Sequence, residues 1–177
     1  YYRRPLLGKL AVAPIIFCEA VVPNARRLFW KQQRFPIADA HYAMGFALLE
    51  GIHGGRGHYQ RALHFLEVLR ETRCPGYDEY CWGYPFDWQT RAGVLKAGTP
   101  LITTLPYVYE AFSQIYAMDG DEQWLQVMRS IAEHAAKSYR DVMLAPDIAS
   151  CGYTPAEDDP GGVVNASAYR SFLLTKA

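Results

Sequence analysis

The chain has 177 residues, half of them apolar and 14 % aromatic, which is enough for one domain with a sizeable core and too apolar for a disordered chain. Eighteen Lys and Arg balance eighteen Asp and Glu, so no global field favours nucleic acid or an anionic membrane as a partner.

The most apolar stretch comes first. Pro14, Glu19, Pro23 and Asn24 interrupt it, and it falls short of the ~20 uninterrupted apolar residues of a membrane span. Residues 5–22, preceded by Arg3 and Arg4, resemble a secretion signal only superficially, because Pro14 splits the apolar run. Cys18, Cys74, Cys81 and Cys151 form no CxxC pair and have no His at zinc spacing. They argue against a metal knuckle or a disulfide framework. The expectation is a reducing, cytoplasmic setting with no metal and no other cofactor.

Residues 41–50 (HYAMGFALLE) are apolar around most of a helical circumference, the pattern of a helix buried on more than one side. A Gly-rich link, Gly51 to Gly57, follows. Residues 57–72 then place Tyr59, Ala62, Leu63, Leu66 and Leu69 at i, i+3, i+4, i+7 and i+10, with Arg61, His64, Glu67 and Arg70 between them. This is one apolar stripe on a half-wet helix. The same pair recurs: 105–118 (LPYVYEAFSQIYAM) reads as buried, and 121–139 carries Trp124, Val127, Met128, Ile131 and Ala135 on one face. Between them Asp119-Gly120-Asp121 supplies a Gly to stop one helix and an Asp to cap the next. A third buried-type helix is predicted from Asn165 (NASAYRSFLL).

Tyr42 and Tyr107 are 65 residues apart, as are Tyr59 and Trp124; Gly83-Tyr84 and Gly152-Tyr153 are 69 apart, and Tyr107 and Tyr169 are 62 apart. One period through several landmarks means repeated helical hairpins, over about 37–99 and 100–164, with a third inner helix from about 165. The expected fold over 1–177 is therefore all-α, an α/α toroid of which this chain supplies about half. Six hairpins of ~60 residues need about 360, and the remaining hairpins would complete the ring. An open solenoid is the structural alternative.

The outer-to-inner links, 72–99 and 140–164, far exceed the usual two to about eight residues between helices. Both leave from the same face, where a site is expected. In the first, Trp82, Tyr84, Phe86 and Trp88 surround Asp87, with Gln89 and Arg91 close by. Aromatic platforms beside convergent polar groups suit sugars, whose rings have apolar faces and hydroxyl edges. The same rings would also serve to plug the end of a helical ring, with Asp87 pairing Arg91. The second link brings Tyr153 and the run Glu157, Asp158 and Asp159. Paired carboxylates on adjacent loops, Asp87 and Asp158, fit general acid and base chemistry, although acids before Pro-Gly-Gly also make solvated turns. Glu110 lies on an apolar inner helix, where burial would raise its pKa and make it an acid unless a structural hydrogen bond claims it. His41 reads as a first-turn residue after the cap candidate Asp39, and His53 and His58 lie at the opposite face.

The segments CWGYPFDWQTR (81–91), AGTPLITTLPYVYEAF (97–112), DGDEQWLQVMRSIAEH (119–134) and CGYTP…VVNASAYRSFLL (151–174) resemble VpsJ-type polysaccharide biosynthesis proteins. That family is similar in architecture to six-hairpin glycosidases and to toroidal sugar epimerases and uronyl hydrolases. The resemblance implies a bacterial role in exopolysaccharide or capsule production. It places the family's loops on Trp82, Gly83, Tyr84, Pro85, Phe86, Asp87, Trp88 and Arg91, and on Cys151, Tyr153, Thr154 and Asn165. Polysaccharide or oligosaccharide is the implied partner. The activity expected is that of a glycoside hydrolase, lyase or epimerase; the alternatives are a noncatalytic glycan-binding or scaffold protein and an isoprenoid-binding toroid. For the last, no aspartate-rich diphosphate motif is present.

Overall fold

The computed structural model describes residues 5–22, 24, 27, 31–90 and 93–177. Among them the elements run α1 (Pro5–Val21), α2 (Pro36–His53), α3 (Arg56–Glu71), β1 (Trp88–Gln89), β2 (Val94–Leu95), α4 (Leu105–Asp119), α5 (Glu122–Lys137), β3 (Asp141–Ala145), β4 (Ile148–Cys151) and α6 (Val164–Lys176). Among the described residues the molecule is helix-rich with two small sheets, so the all-α expectation holds only roughly. Each long link folds into a two-stranded antiparallel sheet, with Trp88 opposite Leu95 in one and Asp141 opposite Cys151 in the other.

The helical hairpins close as their sequences dictate. Gly54 ends α2 in the left-handed region at φ 60° and donates to Glu50 O. The helix α3 has no side-chain cap of its own; the Glu50 carboxylate accepts from Tyr59 N at 3.0 Å and ties the last turn of α2 to the first turn of α3. Gly120 ends α4 at φ 68°, and Asp121 caps α5 by accepting from Gln123 N at 3.0 Å. Asp119 locks that turn to α3: its Oδ2 accepts from Tyr59 Oη at 2.6 Å and from Trp124 Nε1 at 3.0 Å.

α4 is the centre of the packing, because α2, α3, α5 and α6 all lie against it. Leu105, Val108, Ala111, Phe112 and Ile115 are accordingly fully buried. α2 differs from its expected burial on more than one side. It buries only Pro36, Asp39, Ala40, Ala43 and Ala47, while Tyr42, Leu48 and Ile52 are exposed. The helix also starts at Pro36, so Asp39 is not its cap; the carboxylate is buried and pairs with Arg34 at 3.0 Å. Arg170 of α6 fastens the other end of the row. Its Nε and Nη2 donate to Ala135 O and Ala136 O at 2.9 Å, satisfying carbonyls at the end of α5, and its Nη1 lies 2.7 Å from Asp141.

The two long links meet. Ile102 N donates to Tyr153 O at 3.2 Å, and Thr103 Oγ1 donates to Tyr153 Oη at 3.2 Å. This contact places the expected site loops side by side at one end of the helices.

Candidate functional site

Two adjoining cavities open beside the first link. One, of about 700 Å³, is walled by Phe35, His41, Tyr42, Tyr84, Phe86 and Trp88. The other, of about 520 Å³, lies among α2, α4 and α6 and is lined by His41, Tyr107, Glu110, Asn165, Tyr169 and Phe172. His41 borders both.

The rings of the first cavity brace one another. Tyr84 and Phe86 stack within 4° of parallel at 5.5 Å, Trp88 stands edge-on to Tyr84 at 5.5 Å, and Phe35 from the start of α2 lies 5.6 Å from Phe86. The β1–β2 hairpin carries Trp88 into this group, and Tyr153 of the second link approaches Trp88 at 6.4 Å. Burial, then the nearby Tyr153, pushes the Tyr84 phenol up, so it stays neutral. The wall is apolar, with flat faces and few polar groups.

Polar groups collect in the second cavity. The Tyr107 and Tyr169 hydroxyls are 2.6 Å apart, and this hydrogen bond, with burial, raises the Tyr107 pKa. His41 meets the Tyr107 ring edge-on at 5.1 Å. Glu110 Oε1 lies 3.2 Å from Lys176 Nζ but without the alignment of a hydrogen bond. It is therefore a carboxylate in the cavity wall, held by charge alone.

The sequence-predicted residues divide. Tyr84, Phe86 and Trp88 line the first cavity, Glu110 the second, and Tyr153 the contact between links. Trp82 does not join them. It is fully buried, with its indole N–H on Leu69 O at 2.8 Å, and so packs the core instead of offering a face to a ligand. Gln89 is exposed and donates to Thr90 O and Gly93 O within its own hairpin. Arg91 lies outside the described residues. Asp87 lines neither cavity: its half-exposed carboxylate accepts from Lys96 Nζ at 2.8 Å and from Ala97 N at 2.9 Å, fastening the hairpin base. Lys96, then the Ala97 N–H, holds its carboxyl below the usual range, which suits a fixed anion and not an acid. Asp158 is exposed on the second link. Its neighbour Asp159 is the organising residue there, accepting from Thr154 N, Thr154 Oγ1 and Gly161 N at 2.7–2.9 Å.

His41 and the Tyr107–Tyr169 pair are the residues of the site that the motifs did not single out. The signal for the tyrosines was present in their 62-residue spacing. Tyr42 keeps a similar spacing but stacks on Phe65 at 5.1 Å, and its neighbour His41 takes the contact with Tyr107. No protein-family model, curated protein or solved structure matches the chain.

Proposed function

We propose that this chain is part of an α/α toroid of polysaccharide biosynthesis or processing, and that the two cavities joined at His41 are its glycan site. The observation that carries this reading is the pairing of a ring-walled cavity with a polar one across a single shared residue. Pyranose faces stack on Trp88, Phe86 and Tyr84, while the next sugar meets hydroxyls, an imidazole and a carboxylate. The acid–base group of this site is Glu110 and not Asp87, because Glu110 faces the cavity and Asp87 is spent on Lys96 and Ala97.

A panel of oligosaccharides tests the reading by calorimetry and by product release. Trp88→Ala is expected to weaken binding about three- to tenfold, the contribution of one stacked ring. Glu110→Gln is expected to lower turnover at least ~10²-fold with binding retained, and Asp87→Asn to leave turnover within about twofold. Binding without turnover assigns the noncatalytic role. Binding that Trp88→Ala leaves unchanged refutes the ring-walled site.

A further inference from the structure

The N-terminal helix takes no part in the glycan site, and none of the described helices or strands packs against α1. Leu6, Leu10, Phe17 and Val21 are between 61 % and 77 % exposed. At i, i+4, i+11 and i+15 they share an arc of about 60° on a 3.6-residue helix. Lys9 and Glu19, the two charged residues in this 17-residue element, fall outside that arc. α1 is also unlike an outer helix of the repeats, since α3 and α5 interleave charge with apolar residues throughout. A helix so apolar and without protein cover calls for a nonaqueous surrounding.

The charge distribution says which one. The overall neutrality hides an asymmetry: residues 1–35 carry seven Lys and Arg, among them Arg3, Arg4, Arg26 and Arg27, against Glu19 alone, a net +6. The eleven basic and seventeen acidic residues of 36–177 give −6. Amphipathic rings bracket the apolar run as well, Tyr1 and Tyr2 before it and Trp30 after it, the residue types that favour a lipid headgroup boundary. Among the described residues no helix is long and apolar enough to cross a membrane.

We propose that α1 and its basic flanks dock the protein on an anionic lipid surface. The helix lies in the interface with Leu6, Leu10, Phe17 and Val21 toward the acyl chains, and the flanking Lys and Arg meet lipid phosphates. The acidic remainder of the chain is repelled by the same surface and stays in water. This docking does not depend on the glycan reading.

The test is co-sedimentation of the full chain with vesicles of phosphatidylcholine, with and without phosphatidylglycerol. The expected result is binding about tenfold or more tighter to the anionic vesicles, weakened by salt. Leu10→Glu/Phe17→Glu should abolish it with the circular dichroism spectrum and thermal midpoint unchanged, and Arg26→Glu/Arg27→Glu should weaken it. In a Phe17→Trp variant, brominated acyl chains should quench the indole emission. Absence of binding to anionic vesicles overturns the proposal, as does binding that Leu10→Glu/Phe17→Glu leaves intact. Lipid-free self-association removed by those two substitutions, with no vesicle binding, would assign the face to a second copy instead.

Discussion

At residue scale, the aromatic loop shows how similar side chains acquire opposite tasks six residues apart. Trp82 points into the core and Trp88 into a cavity, and the backbone between them is held by a close approach at Gly83. A Cβ built there would sit 1.9 Å from Thr99 O, a backbone atom that cannot swing aside. Gly83→Ala is therefore expected to cost about 1–3 kcal/mol, read as a fall in thermal midpoint. The control is Gly45→Ala in α2, where nothing lies within 4 Å and the helix should gain about 1 kcal/mol. Equal midpoints for the two variants would show that the Gly83–Thr99 approach does not constrain the loop. None of this was legible in the sequence, where Trp82 and Trp88 sit in one motif with the same neighbours in kind. Which ring is buried depends on Leu69 O receiving an indole N–H from 13 residues away.

At the scale of elements, the amphipathic helices α3 and α5 and their Gly and Asp boundaries follow from local periodicity and capping, which need no tertiary partner to be read. The small sheets do not. β1 and β2 are two residues each, too short for an alternating pattern to register. The second link owes its shape to Asp159, a residue that sequence reasoning grouped with Glu157 and Asp158. Burial alone would raise its pKa, but hydrogen bonds from Gly161 N, Thr154 Oγ1 and Thr154 N outweigh burial and hold it below the usual carboxylate range. A depressed folded pKa contributes stability that is present above the unfolded value and lost as pH falls through the folded one. The stability difference between the wild type and Asp159→Asn should thus be about 2 kcal/mol near neutrality. It should shrink between about pH 5 and pH 2. Denaturant unfolding across that range measures it; a difference that is constant with pH would place the effect outside this ionisation.

At the scale of the molecule, α4 is enclosed by four helices while α2 leaves Leu48 and Ile52, at i and i+4, exposed with Leu49 beside them. An apolar helix stripe of that kind drives association in water. Sedimentation of this 177-residue chain in lipid-free buffer is expected to show self-association at micromolar concentration, relieved by Leu49→Lys/Ile52→Lys. A monomer at those concentrations would mean that the stripe is too small to hold a partner.

Read from the sequence by itself were the amphipathic helices α3 and α5, the Gly120 stop and Asp121 cap between α4 and α5, and the end of the molecule where the long links gather. Each of these depends on contacts within a few residues or on a period that repeats along the chain. Only the tertiary structure decided that His41 stands between two cavities, that Asp87 is tied to Lys96 and Ala97, and that Glu110 faces open space beside paired tyrosine hydroxyls. Those assignments depend on which side chains α2, α4, α6 and the two links bring together across 50 or more residues, and no local rule of propensity, charge or spacing encodes which way a side chain turns once the helices pack.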